Sequence, residues 1–133
     1  MAIGQIVVEK QSRYDFDTTV QKVLNEAEQR GWQVPVVHDL QQSLAKSGKS
    51  VKPVKVIEIC KPQYSGKLLE LSEERIMSVM MPCRIAVYQK SEGNIYITLV
   101  NGSEMAAGMS GKIADIMKAA SDETFEIIKS VTV

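Results

Sequence analysis

The residues whose types and spacing could carry chemistry are two cysteines, Cys60 in Ile-Cys-Lys-Pro and Cys83 in Met-Met-Pro-Cys-Arg. Each lies at one end of a predicted strand, so antiparallel pairing of those two strands would bring the thiols together. Each is followed by a cation, Lys61 or Arg84, and a nearby positive charge favours the thiolate that attacks disulfides. The favoured interpretation is a thiol-based protein for redox or sulfur-handling chemistry, with one cysteine as nucleophile and the other resolving.

Methionines near the cysteines open a second interpretation. Met80 and Met81 come just before Cys83, and thiolate with thioether is a soft ligand set that suits Cu(I). Further methionines precede Cys83 or follow the fifth predicted strand: Met77, Met105 and Met109. In a third interpretation the cysteines only pack inside a non-catalytic small-molecule or interaction domain, because free cysteine is often buried and methionine adapts to cores. The sequence leaves these alternatives open, together with the cofactor and whether the protein is an enzyme.

Two other titratable residues are weaker candidates. The single histidine, His38, could act as acid, base or ligand, but no neighbouring residue completes a triad with it. Glu58 lies two residues before Cys60, so it is expected on the same strand face, as a general base or as half of an ion pair. The sequence contains no Cys-x-x-Cys, no zinc spacing, no P-loop and no dinucleotide fingerprint.

Composition limits the class of protein. The 133 residues, 44% apolar and 24% charged, predict one globular domain over residues 1–133. The 16 basic and 16 acidic residues cancel, which predicts no nucleic-acid partner, because such a partner needs a basic face. No window approaches the roughly 18 apolar residues of a membrane span, and the N-terminus does not resemble a signal peptide. A cytoplasmic protein with reduced thiols and no membrane partner is expected.

The elements that must position these residues are predicted in the order strand, helix, four further strands with short helical excursions, and helix. The first strand is expected within residues 3–12, and the first helix is capped by Asp15 and stopped by Gly31. The remaining predicted strands and the final helix cover 32–38, 54–60, 83–90, 94–100 and 112–130. This order predicts an α+β fold, with a single antiparallel sheet of about five strands and two main helices on one face.

Turn and capping residues predict the connections. Pro35 within the second strand indicates an edge or a bulge, because proline cannot donate to a strand ladder. Asp39 is expected to cap a short helix that ends at Gly48, and Pro62 to open another. Ser103 is placed to cap a helix after the fifth strand.

Several short motifs, taken together, resemble one known family. They are Asp-Phe-Asp-Thr-Thr-Val at 15–20, Arg-Gly-Trp at 30–32, Cys-Lys-Pro at 60–62, Met-Pro-Cys-Arg-Ile at 81–85 and Glu-Gly-Asn-Ile-Tyr-Ile at 92–97. Over nearly the whole chain they resemble the prokaryotic domain-of-unknown-function family DUF302, whose members commonly show a Cys-Asn-Pro and, further along, a Leu-Pro-Cys-Asn-Val. Those family motifs fall on Cys60, Pro62, Pro82 and Cys83.

The resemblance implies a fold like that of the TATA-box-binding protein, and a homodimer, but it implies no reaction. Lys61 and Arg84 stand where the family commonly has asparagine, which makes the surroundings of the thiols more cationic. A homodimer is also expected because a small sheet with helices on one face leaves apolar area that a twofold partner can bury.

Overall fold

The computed structural model describes residues 6–109 and 111–133, except for the side chains of residues 72–74. Its elements in chain order are β1 (Val7–Gln11), α1 (Phe16–Gln29), β2 (Gln33–Asp39), α2 (Leu40–Lys46), β3 (Val54–Cys60), α3 (Pro62–Glu70), a 3₁₀ helix (Ser72–Met80), β4 (Cys83–Gln89), β5 (Ile95–Val100), α4 (Gly102–Met105) and α5 (Gly111–Lys129). The first strand, β1, is shorter than the range 3–12 in which the sequence predicted it. Residues 3–5 of that range lie outside the described residues.

The strands form one antiparallel sheet of five strands in the order β1-β5-β4-β3-β2. This confirms the predicted α+β fold with a single antiparallel sheet. The register of edge strand β2 against β3 shifts between Gln33 and Val36, so the irregularity predicted from Pro35 is confirmed.

Both main helices pack on the same face of the sheet, as predicted. Side chains alternate between the two faces of a strand, and every second residue of the central strands is buried beneath α1 and α5. The sheet residues of this core are Ile57, Ile59, Ile85, Val87, Ile95, Ile97 and Leu99, and the helix residues include Val23, Ala27, Ile127 and Ile128. Because each fully buried aliphatic side chain contributes about 1.5–3 kcal/mol, this layer anchors the sheet to the helices.

Side-chain caps fix where the helices begin. The Asp15 carboxylate accepts a hydrogen bond from the Thr18 N–H at 2.8 Å, and this capping holds the pKa of Asp15 below its ordinary value. The Asp39 cap of α2 is also confirmed. The prediction that Ser103 caps α4 is wrong, because the side chain of Asn101, two residues earlier, accepts from the Ser103 N–H at 3.1 Å.

The 3₁₀ helix is the one element among the described residues that the sequence did not predict. Residues three apart are eclipsed in such a helix, so Met77 and Met80 face the protein together, whereas Ile76 and Val79 are 78% and 76% exposed. Met77 belongs to a second small core with Leu68 of α3 and Ile113 of α5. This small core is separate from the main one, and it holds α3 and the 3₁₀ helix against α5.

The face of the sheet opposite α1 and α5 carries exposed and half-buried side chains. The rings of Tyr88 and Tyr96 stack there with centroids 6.2 Å apart. Glu9 pairs with Lys90 at 2.6 Å, and this hydrogen-bonded pair lowers the pKa of Glu9. No helix in the described part of the chain is long and apolar enough to cross a membrane.

Candidate functional site

A cavity of about 230 Å³ lies at one end of the sheet. Three neighbouring strands meet there, because β3 and β5 end where β4 begins: Ile59 is opposite Cys83, and Ile85 is opposite Leu99. Residues of α3 and the 3₁₀ helix line one part of the wall, and residues of α5 line another. The cavity is therefore built from parts of the chain that are far apart in sequence.

Sulfur atoms dominate the chemistry of this cavity. Both cysteines line it, together with five of the seven methionines, namely Met77, Met80, Met81, Met105 and Met117. The structure thus brings together all four residues that the sequence singled out, Cys60, Cys83, Met80 and Met81, although their role stays a prediction. Antiparallel pairing of β3 with β4 is the cause, as expected.

Cys60 ends β3, and the start of α3 positions it. Pro62 occupies the first turn of that helix, where its missing N–H and fixed φ cost nothing. One turn of α3 then places the Ser65 hydroxyl 3.7 Å from the Cys60 sulfur. Cys60 and Cys83 are both free and half-buried, so each thiol is available to a small reagent or ligand in the cavity.

The electrostatic surroundings of Cys83 differ from the expectation. Desolvation by burial raises its pKa, and the charge of the nearby Cys60 thiolate raises it further. The Lys61 ammonium is already bonded to the Glu123 carboxylate at 2.7 Å, and Arg84 is exposed, where water screens its charge. The expectation that neighbouring cations stabilise a thiolate is therefore wrong for Cys83.

A polar cluster that the sequence did not indicate borders the cavity beside Trp32. The Tyr64 hydroxyl and the Lys61 ammonium both donate to Glu123 of α5, and Lys61 also donates to the Arg30 carbonyl at 3.0 Å. The Trp32 indole N–H is the buried side-chain group without a hydrogen-bond partner among the described residues. Tyr64 and Glu123 are 59 positions apart, so no local sequence pattern could have predicted their contact.

The remaining polar side chains of the α5 wall are already hydrogen-bonded. The Ser121 hydroxyl accepts from the Gly102 N–H at 3.0 Å, and the Thr124 hydroxyl donates to the Ser121 carbonyl at 2.7 Å. A Cβ on Gly102 would lie 2.9 Å from the Met117 carbonyl oxygen, so glycine is needed for this close approach of α4 to α5. The wall therefore presents mainly apolar and sulfur surface.

His38 and Glu58 are not part of this site. Their side chains are hydrogen-bonded to each other across β2 and β3, and neither residue lines the cavity. Glu58 is thus half of a hydrogen-bonded pair with His38, and nothing supports a general-base role beside Cys60. Across the described ranges, 6–109 and 111–133, no three or more His, Cys, Asp or Glu side chains form a group that could hold a metal.

Comparisons with known proteins agree on the family and the fold. The model of the domain of unknown function DUF302 matches residues 8–131. A solved structure described as an uncharacterized conserved DUF302 protein from Bacillus stearothermophilus is similar, with a TM-score of 0.85 and 17% identity over 98% of this chain and 99% of that one. No curated protein matches this chain.

Proposed function

Because this chain belongs to the DUF302 family, whose description names no activity, we propose a function from the cavity itself: the domain binds a small polarizable ligand between the end of the sheet and α5. The observation that carries this proposal is a volume of about 230 Å³ lined by both cysteines and five methionines. An apolar cavity of roughly 150 Å³ accepts benzene, so roughly ten non-hydrogen atoms fit here.

The sulfur lining supports binding and indicates the kind of ligand. Thioethers are soft, polarizable and flexible, so a methionine wall adapts its shape and favours contact with aromatic rings, sulfur or soft ions. Trp32 and Tyr64 extend the wall with two aromatic rings, whose centroids are 6.0 Å apart.

Thiol chemistry at Cys60 and Cys83, redox or sulfur-handling, is the second candidate. It is supported by the position of both cysteines in the lining of one cavity. Burial, and after it the charge of Cys60, raises the pKa of Cys83, which weighs against thiol chemistry, since a raised pKa leaves less of the thiolate that attacks. Binding is therefore preferred to catalysis.

Filling the cavity tests the binding proposal. Ala120 of α5 lines the cavity, and Ala119 next to it is exposed. Ala120→Leu therefore adds a larger side chain inside the cavity, and Ala119→Leu adds the same side chain on the surface. We expect small aromatic and thioether fragments to bind the wild type and Ala119→Leu in ligand-observed NMR, and Ala120→Leu to lose them. Equal binding to both variants, or no binding to the folded wild type, would contradict the proposal.

The expectations for partners and location belong to the same proposal. The open sheet face supports a homodimer, and the balanced charge of the chain supports the absence of nucleic-acid partners. A cytoplasmic location without membrane partners stays a prediction from the sequence. Small-molecule binding inside the domain is compatible with each of them.

A further inference from the structure

We propose that the ligand of this cavity is Cu(I), bound by the sulfurs of Cys60 and Cys83 together with a methionine thioether of the Met77–Met81 segment. This inference rests on the proposed binding function and names the class of ligand. It is drawn from the donor atoms that the fold brings together and from the kinds of donor that line the cavity.

The two cysteines supply the anionic donors. Both cysteines are free and line one cavity, at the adjoining ends of two paired strands. Two thiolates at one site carry like charges, and a cation bound by both offsets their repulsion.

The methionines supply neutral donors of the same softness. Met80 and Met81 precede Cys83 by three and two residues, and both line the cavity, as does Met77. Thiolate and thioether ligands select Cu(I), whereas carboxylates and carbonyls suit Mg²⁺ and Ca²⁺. Structural zinc needs four Cys or His ligands, and the described residues offer no cluster of even three His, Cys, Asp or Glu side chains.

The binding step balances without electron transfer. Two S–H bonds ionise, two protons pass to the buffer, and two copper–sulfur bonds form while copper stays in the +1 state. The complex of two thiolates with Cu(I) carries one negative charge.

The test is anaerobic competition for Cu(I) between the reduced full chain and bathocuproine disulfonate, followed by the absorbance of the chelator complex. We expect one Cu(I) per wild-type chain, at least tenfold weaker binding in Cys60→Ser and in Cys83→Ser, and several-fold weaker binding in the double variant Met80→Leu, Met81→Leu. Met109→Leu is the matched control and keeps the wild-type affinity, because Met109 is exposed and lies outside the cavity lining.

The outcomes separate this inference from the binding proposal. If the wild type retains no Cu(I) but still binds aromatic fragments, the inference falls and the binding function stands. If it binds neither, both fall. Copper with nitrogen or oxygen neighbours in X-ray absorption, or unchanged affinity in both cysteine variants, overturns the inference. Cys60→Ala and Cys83→Ala replace the serine variants if circular dichroism shows these unfolded.

Discussion

At the scale of single residues, the state of the Cys83 thiol decides between binding and chemistry. Burial removes water from the sulfur, and the thiolate of Cys60 adds a like charge. Both effects favour the protonated thiol. Lys61 does not offset them, because its ammonium donates to Glu123 and to the Arg30 carbonyl. The raised pKa makes Cys83 a weaker nucleophile near neutral pH than an ordinary thiol, and its role as a ligand stays a proposal.

The pH dependence of Cys83 follows from this shift. In the variant Cys60→Ser, burial of Cys83 still raises its pKa, and burial is the larger of the two causes. The pH midpoint of the reaction of Cys83 with iodoacetamide should therefore be higher in the folded variant than in the same variant unfolded in urea. Mass spectrometry of the alkylated chain measures both midpoints. A folded midpoint at or below the unfolded one would contradict the account and favour thiol catalysis.

The same shift links stability to pH. A group whose pKa is raised by folding stabilises the protein fully below its unfolded pKa, and that contribution is lost as the pH rises through the folded pKa. The free energy of unfolding should therefore fall at alkaline pH in the wild type, and fall less in Cys83→Ser. Urea titrations at several pH values measure this difference, and parallel pH profiles would contradict it.

At the scale of elements, the contact between α3 and α5 closes one part of the cavity. Glu123 of α5 accepts from both Lys61 and Tyr64, and its ion pair with Lys61 is partly buried. The nearby pair of Lys118 with Asp122 lies on the same helix but is 65% and 62% exposed. The two pairs thus differ in burial and in the elements that they join.

Substitutions at these two positions should have different effects. Glu123→Gln removes the charge that Lys61 and Tyr64 share, and should lower the free energy of unfolding by about 1 kcal/mol, since the pair is only partly screened. Asp122→Asn is the matched control and should change it by less than about 0.5 kcal/mol. Chemical denaturation measures both. Equal effects would show that Glu123 does not tie α3 to α5.

Which elements the sequence predicts depends on their periodicity. β3, β4 and α5 follow regular apolar patterns, so their bounds were predicted to within one residue at each end. The cysteine pair was predictable because both residues end such strands. The 3₁₀ helix was missed because its apolar residues recur every three positions. This spacing matches neither the 3.6-residue period of an α-helix nor the two-residue period of a β-strand. Trp32, Tyr64 and Glu123 meet only through tertiary packing, so no local pattern indicated this border of the cavity.

At the scale of the whole molecule, the open sheet face is the surface that a second copy would cover. Exposed aliphatic residues lie on it, including Val36 and Val100, beside the Tyr88–Tyr96 stack. Ala86 lies near its centre, because its neighbours Ile85 and Val87 point to the buried face of the central strand β4. The homodimer stays a prediction, and Ala86 is the position at which to test it.

A charge at the centre of this face should separate the two copies. Ala86→Arg would place an unpaired charge at the predicted interface without touching the core, so the variant should be monomeric. Ala119→Arg puts the same side chain on exposed α5 and should stay dimeric like the wild type. Sedimentation equilibrium at micromolar concentration measures all three. A monomeric wild type, or a dimeric Ala86→Arg, would contradict a dimer through this face.

The central claim, that the sulfur-lined cavity holds a ligand, is tested most directly by a crystal structure of the reduced protein under xenon pressure. Xenon is a polarizable atom that enters apolar cavities, and its anomalous scattering marks its position. The account predicts xenon between Cys60, Cys83 and the cavity methionines in the wild type, and none there in Ala120→Leu. Xenon found only elsewhere, or a cavity closed by its own side chains, would contradict it.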